Sequence, residues 1–279
     1  MDRALSSHVI VNHRLTTSWL GRVERAGIKS VEIFCAKQHL DWRNVSQVTE
    51  LGHWFRDSEL KLHSLHSPMY TDEYWGKSGP DTHINITEHK KADRIHWVDE
   101  IKRALEVAET VPFRYLIQHL GVNDQEFSER TIDAAFSSLE ELGIFARQRG
   151  VEILLENIRN DLASAERLRT FNELTHLNMN FVFDCGHAHI MGGGQAGLER
   201  EFEIMAPRIR SLHIHDNDGV DDQHLYPGAT GGKIDWKRTM DLLRSRPDQY
   251  PLLFELREVP EMEHPIDEVV KVFDRLEAL

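Results

Sequence analysis

Short apolar runs alternate with longer amphipathic segments along the whole chain. Each run is four or five residues long and rich in Val, Ile, Leu or Phe: HVIVN (8–12), VEIF (31–34), LHSLH (62–66), YLIQH (115–119), EILLE (152–156), FVFD (181–184), SLHIH (211–215) and LLFEL (252–256). Runs of this length and composition are typical of buried parallel strands. We therefore expect eight strands at these positions.

The segments between the runs carry apolar residues at helical spacing. One of them collects its apolar side chains on a single helix face: Ile95, Val98, Ile101, Leu105 and Ala108. The last segment starts at Pro265, a residue that favours the first position of a helix. Strict alternation of strand and helix predicts a parallel sheet, and eight such units close into a (β/α)₈ TIM barrel.

A doubly wound open sheet is the alternative fold, but no glycine-rich dinucleotide fingerprint follows the first run. The 279 residues suit one barrel and contain no linker or repeat, so we expect residues 1–279 to form a single domain. The longest loops, 67–85 and 216–234, would lie over the catalytic face of such a barrel.

Composition narrows the expected partners and location. The formal net charge of −13 disfavours a general polyanion binder, which makes nucleic acid an unfavoured partner. Two distant cysteines, no secretory signal pattern and no apolar run of membrane length indicate a cytoplasmic protein without a membrane partner. The choice between monomer and homo-oligomer stays open.

Metal-ligand side chains end six consecutive runs. In chain order they are His66, His119, Glu156, Asp184, His213 (or His215) and Glu255, and His187, Asp222 and His224 follow closely behind the sixth and seventh runs. The strand ends of a barrel surround one axis, so we expect these side chains to converge. Imidazole and carboxylate together favour Mn²⁺ or Zn²⁺, with Co²⁺, Fe²⁺ or Mg²⁺ as alternatives.

Any one of these residues alone would more often be a hydrogen-bonded structural group. The conjunction of six strand ends favours a divalent-metal site. His63 stands three residues before His66 and is expected to face the opposite way. His189 and His215 are expected to orient ligands, and the other histidines, His8 and His39 among them, to lie on surfaces or in the core.

Nearly the whole chain resembles the xylose isomerase-like barrel superfamily, which contains sugar and sugar-phosphate isomerases and epimerases, inosose dehydratases and endonuclease IV. The motifs that carry the resemblance are LHSLHSP, IQHLG, LLEN, FDCGHAH, LHIHDNDG with DDQHLYPG, and FELRE. For the ketose epimerases it implies one metal held by Glu156, Asp184, His213 and Glu255, with the two glutamates exchanging substrate protons through an enediolate on the metal. It also implies that His187 contacts substrate, whereas the substrate arginine of the epimerases is replaced here by Gly219.

For endonuclease IV the resemblance implies a three-zinc cluster that cleaves phosphodiesters. Its nine ligands would be His66, His119, Glu156, Asp184, His187, His213, Asp222, His224 and Glu255. The chain has no clear basic cluster for duplex DNA. We therefore expect a metal-dependent sugar or sugar-phosphate isomerase or epimerase, with the phosphodiester hydrolase as the alternative.

Two further possibilities stay open. Dehydratase or lyase chemistry on a keto-sugar uses the same kind of enolising site, and a non-catalytic sugar-binding relative is a third class. Three residues beside the matched motifs are additional candidate substrate contacts: Asn157, Lys233 and Arg257. The expected partner is a small carbohydrate or sugar phosphate.

Overall fold

Parallel strands and helices alternate through the computed structural model, which describes residues 1–246 and 248–279. The strands in those two ranges are β1 (Arg3–Ser6), β2 (Ser30–Phe34), β3 (Lys61–His66), β4 (Tyr115–His119), β5 (Glu152–Glu156), β6 (Asn180–Asp184), β7 (Ile209–His213) and β8 (Leu252–Phe254). The α-helices are α1 (Thr17–Arg25), α2 (Val45–Arg56), α3 (Lys91–Glu106), α4 (Glu129–Arg147), α5 (Ala165–Leu174), α6 (Cys185–Met191), α7 (Gln195–Met205), α8 (Trp236–Leu243) and α9 (Pro265–Glu277).

The sheet closes on itself beside the ends of β7 and β8. Its strand order is β7-β6-β5-β4-β3-β2-β1-β8, and a parallel bridge between Ile214 and Phe254 joins the two outer strands. The Ile214 N–H donates to the Leu253 carbonyl at 3.0 Å, and the Glu255 N–H donates to the Ile214 carbonyl at 3.2 Å. The predicted TIM barrel is confirmed.

The first strand lies earlier than its apolar run suggested. We expected residues 8–12, but β1 ends at Ser6, and Ser7–Ile10 form a 3₁₀ turn. Ser6 caps this turn by accepting from the His8 N–H at 3.3 Å, and the Ser7 hydroxyl accepts from the Phe34 N–H at 3.0 Å. Ser6 therefore offers the backbone a local partner that competes with the sheet, and at the end of β2 the Ser7 side chain takes the place of a main-chain acceptor.

A register shift changes the direction of His63. The pairing of β2 with β3 slips between Val31 and Glu32, and His63 Nε2 comes within 3.2 Å of the Ser211 hydroxyl on β7. Because β3 and β7 are not neighbours in the sheet, this contact crosses the barrel interior. The expectation that His63 faces away from the interior was wrong, since an irregular strand does not keep the alternation of an ideal one.

Helix ends follow their capping residues. Ser128 and Thr131 form a capping box at the start of α4, with the Ser128 hydroxyl accepting from the Thr131 N–H at 3.1 Å. Pro265 begins α9, as expected, and Phe273 of that helix stacks on Phe254 of β8 with 3.9 Å between ring centroids. Among the helices described, none is long and apolar enough to cross a membrane.

His39 is a buried neutral histidine whose titration opposes folding in acid. Its Nδ1 lies 2.6 Å from the His13 carbonyl and its Nε2 lies 2.8 Å from the Ser7 hydroxyl. Burial lowers the pKa of His39 to about 4. Between its ordinary pKa of about 6.5 and this value, the unfolded chain binds a proton that the folded protein does not. The free energy of unfolding therefore decreases as the pH is lowered through this range.

We predict that His39→Gln weakens this dependence. Between about pH 6.5 and 4, wild-type His39 contributes a loss of up to about 1.4 kcal/mol per pH unit, and glutamine retains a donor and an acceptor without titrating. Urea unfolding at several pH values measures both slopes, and the other titrating groups cancel in the comparison. Equal slopes for wild type and variant would contradict the assignment.

Candidate metal centre

Four side chains from four strand ends meet at one point, which we call the central site: Glu156, Asp184, His213 and Glu255. One donor atom from each lies within 4.8 Å of the others. His213 Nδ1 is 3.1 Å from Glu156 Oε1, 3.1 Å from Glu255 Oε2 and 3.9 Å from Asp184 Oδ2. All four residues are buried, because the strand ends surround the barrel axis beneath the loops.

A first flanking group shares Glu156 with the central site. His119 Nε2 lies 3.2 Å from Glu156 Oε2, and His66 Nε2 lies 3.6 Å from the same oxygen. His66 stacks on Phe34 with 4.2 Å between centroids. Trp75 meets Phe34 in a T-shaped contact with 5.3 Å between ring centroids, so aromatic side chains adjoin this group.

A second flanking group lies on the other side, where α6 meets the loop after β7. His187 Nε2 is 3.1 Å from Asp222 Oδ2, and His224 Nε2 is 3.3 Å from Asp222 Oδ1. His215 joins this group and approaches both Asp184 oxygens at 3.1 Å. All nine ligand candidates therefore lie in the central site and its two flanking groups.

Backbone carbonyls select the nitrogen that several histidines present. His66, His187 and His224 each place Nδ1 about 3 Å from a main-chain carbonyl, of Ser67, Asn157 and Glu255 respectively. A carbonyl only accepts, so in the neutral ring Nδ1 carries the hydrogen and Nε2 keeps its lone pair. These rings are thus arranged for ligation through Nε2.

The carboxylates and histidines of the site shift one another's pKa values toward the charged forms. Burial by itself raises the pKa of Glu156, but His213 and His119 outweigh it and hold that pKa well below its ordinary value. Burial by itself lowers the pKa of His213, and the Glu255, Glu32 and Glu156 carboxylates reverse this and raise it well above the usual range. Burial also lowers the pKa of His224 by itself, but the Asp222 carboxylate outweighs it and raises that pKa to about 10.

The donor set fits a divalent cation. Within the described residues, every ion pair of Glu156, Asp184 and Glu255 is with a histidine, and none is with Lys or Arg. Buried carboxylates without a permanent positive partner are costly. Nitrogen and oxygen ligands in this number suit Zn²⁺ or Mn²⁺, which would take the place of the shared protons.

Asn157 and Asp216 hold the backbone around the site. The Asn157 amide donates to the Asp184 carbonyl at 2.9 Å and accepts from the Asp184 N–H at 2.8 Å. The Asp216 carboxylate accepts from four N–H groups of the loop after β7 and from the indole at the start of α8, namely Asn217 N, Gly228 N, Lys233 N, Ile234 N and Trp236 Nε1. The loop that carries Asp222 and His224 is therefore tied to a buried charge.

The three candidate substrate contacts lie in different surroundings. Asn157 is fully buried and its amide is engaged by Asp184, so its geometry is that of a supporting residue. The side chains of Lys233 and Arg257 are exposed in the loops that follow β7 and β8. Their role as substrate contacts stays a prediction.

Sequence reasoning missed two buried residues at the site. Glu32, in the middle of β2, contacts His213 Nε2 at 3.1 Å. A charged residue inside an apolar run was the available signal. His8 holds the Leu256 carbonyl through Nδ1 at 2.9 Å and lies 4.9 Å from the His224 ring; it was overlooked because the first strand was placed over it.

Comparison with known proteins places this chain in a family. Residues 20–276 match the family model described as the xylose isomerase-like TIM barrel. The chain belongs to that family, and the resemblance drawn from its motifs is confirmed.

Individual relatives are distant. An uncharacterized protein of Methanocaldococcus jannaschii is 25% identical over 253 residues, covering 88% of this chain and 80% of its own. Inosose isomerase of Halalkalibacterium halodurans is 20% identical over 234 residues, covering 80% and 76%.

Solved structures share the fold over the full length. A D-tagatose 3-epimerase-like protein superposes with a TM-score of 0.76 at 22% identity, covering 100% of this chain and 99% of its own. The IOLI protein with a binding zinc atom gives 0.72 at 18% identity, covering 100% and 97%. D-allulose 3-epimerase from Methylomonas sp. in complex with D-allulose gives 0.73 at 17% identity, covering 99% and 97%.

Gly186 provides a test of how tightly the site is packed. A Cβ at this position in α6 would overlap the His215 ring. We predict that Gly186→Ala displaces His215 from Asp184, lowers stability by about 1–3 kcal/mol and weakens metal binding. Thermal unfolding and chelator competition measure the two effects.

Gly143→Ala in α4 is the matched control, because its added Cβ meets only the flexible end of Arg147. It should retain full metal affinity and gain slightly in stability. Equal metal affinity in both variants would show that the contact between Gly186 and His215 has no influence on the site.

Proposed function

We propose that this protein is a divalent-metal-dependent sugar or sugar-phosphate isomerase or epimerase, with Mn²⁺ or Zn²⁺ at the central site. The observation that carries the proposal is the pair of buried carboxylates, Glu156 and Glu255, which both lie 3.1 Å from His213 Nδ1. They reach this point from β5 and from the end of β8, on separate parts of the barrel. Two carboxylates around one substrate position are the arrangement that proton exchange needs.

A divalent cation at this centre would acidify the C–H between a substrate carbonyl and the adjacent hydroxyl. In our proposal, one glutamate removes that proton and the other returns one, on the same carbon for epimerisation or on its neighbour for isomerisation. Asp184 and His213 complete the ligand set. His187, held by the Asn157 carbonyl, orients the substrate.

The comparisons support a carbohydrate substrate. One similar structure is a D-allulose 3-epimerase in complex with D-allulose, and one relative is an inosose isomerase.

A cationic substrate contact is proposed where the epimerase arginine is missing. Gly219 stands at that position, but the Arg159 guanidinium donates to the neighbouring Val220 carbonyl at 3.3 Å. Arg159 also pairs with Asp124 at 3.5 Å and lines a cleft of about 460 Å³ that contains Asp124, Asp161 and Arg167. We propose that Arg159, Lys233 and Arg257 approach the distal hydroxyl or phosphate groups of the substrate.

Proton exchange is the direct test of this function. We predict that the metal-loaded protein exchanges a substrate C–H with D₂O for at least one ketose in a panel that includes D-allulose and D-tagatose. Glu156→Gln and Glu255→Gln should each slow this exchange by about 100-fold or more, because each removes one acid–base group. Proton NMR follows the exchange.

Glu152→Gln is the matched control, since Glu152 begins the strand that Glu156 ends and pairs with Asn180 at the opposite face of the barrel. It should exchange at close to the wild-type rate. Unchanged exchange in both site variants, or no exchange by wild type on any ketose, would defeat the proposal.

A phosphodiester hydrolase is the second candidate, favoured by one observation. The central site and both flanking groups lie together, as a three-ion cluster requires. The net charge of −13 weighs against a duplex DNA substrate.

Metal stoichiometry separates the two candidates. The isomerase proposal predicts one tightly bound ion per chain, measured by elemental analysis after dialysis, and no cleavage of a duplex with an abasic site. Three tightly bound ions together with cleavage of that duplex would replace it by the hydrolase.

A further inference from the structure

Glu32 is a buried carboxylate that lies outside the set of predicted ligands. It stands in the middle of β2 between Val31 and Ile33, and its side chain has no exposed surface. The Ser64 hydroxyl donates to its Oε2 at 2.8 Å. Both Glu32 oxygens lie 3.1–3.2 Å from His213 Nε2.

This contact determines which nitrogen of His213 faces the central site. A carboxylate accepts hydrogen bonds, so the Nε2 that faces Glu32 carries the proton. Nδ1 likewise faces carboxylates, those of Glu156 and Glu255, and carries a proton in the free protein. A cation held by the central site would replace the proton on Nδ1, whereas Nε2 would keep its proton because Glu32 lies outside that group. His213 therefore presents the nitrogen opposite to the one presented by His66, His187 and His224, whose Nδ1 atoms face carbonyls.

The choice of a carboxylate has a cost that packing alone does not explain. An ionised side chain at this depth costs several kcal/mol unless it is paired, and an apolar residue would continue the run of β2. A carboxylate behind a ligating histidine both fixes the ring and makes the opposite nitrogen a stronger base. A main-chain carbonyl also fixes the ring, but it does little to raise the basicity of the opposite nitrogen.

We propose that Glu32 is a positioning residue that sets the cation affinity of the central site by holding His213 with Nδ1 toward the ion. The inference rests on the metal centre of the proposed function. It assigns no contact with substrate to Glu32.

The test compares metal binding by wild type and Glu32→Gln after removal of bound metal. Glutamine keeps the shape and one acceptor oxygen but loses the charge. Competition with a chromophoric chelator for Zn²⁺ and for Mn²⁺ should show affinity about 10–100-fold weaker in the variant. Ser64→Ala, which removes one hydrogen bond from Glu32, should show a smaller fall and answers the question should Glu32→Gln fail to fold.

Glu100→Gln is the control for loss of a buried charge. Glu100 is 2% exposed, lies on α3 and pairs with Arg43, so this variant is expected to lose stability but retain metal affinity. In the Zn²⁺-loaded protein, ¹⁵N-histidine NMR should show the His213 proton on Nε2, shifted downfield by Glu32, and this signal should move upfield in Glu32→Gln. A purely structural role would not move that signal.

Two results overturn the inference and they are distinguishable. If wild type and Glu32→Gln bind metal with affinities within about twofold, Glu32 does not set affinity, and the proposed function stands. If wild type itself binds neither Zn²⁺ nor Mn²⁺, the proposed function fails and the inference fails with it.

Discussion

The burial of several carboxylates around one histidine is the constraint on which the rest of the site depends. Glu32, Glu156, Asp184 and Glu255 are all at most 3% exposed, and each lies within 4 Å of a His213 nitrogen. Such a group of negative charges out of water is unstable unless positive charge is supplied. Protonated histidines supply it in the free protein, and the donor set suits a divalent cation that would do so more strongly.

Closure of the barrel and assembly of the central site are the same structural event. The hydrogen bonds that join β7 to β8 involve Ile214, which follows His213 directly, and the main-chain N–H of Glu255. The remaining ligands stand at the ends of β6, which neighbours β7, and of β5, which neighbours β6. The ligand geometry is therefore as rigid as the sheet.

Supporting residues extend this rigidity into the loops. Asn157 ties the end of β5 to the main chain at Asp184, and Asp216 gathers the N–H groups of the loop after β7. Within that loop His224 adopts a left-handed backbone conformation, with φ of 46°. A residue other than glycine persists in this region only where its surroundings hold it. Here His224 Nδ1 lies 3.0 Å from the Glu255 carbonyl, and the Arg257 N–H donates to the His224 carbonyl at 2.9 Å.

Sequence alone determined the alternation of strands and helices, and with it the barrel and the positions of nine ligand candidates. It did so because a residue at the end of a parallel strand is directed to one edge of the sheet whatever its neighbours are. The sequence pattern did not reveal where β1 ends. The strand stops at Ser6, whose hydroxyl accepts from the His8 N–H, so the position of His8 beside the site was not predicted. The register slip that turns His63 inward depends on two strands together.

Only the tertiary structure decided what each polar group faces. Glu32 lies 181 residues before His213, and nothing in either segment alone indicates that the two meet. The ring nitrogens that the histidines present depend on carbonyls and carboxylates brought close by closure of the barrel. Hydrogen bonds and charge act over a few ångströms, so their partners are settled by the fold, whereas strand and helix periodicity is written along the chain itself.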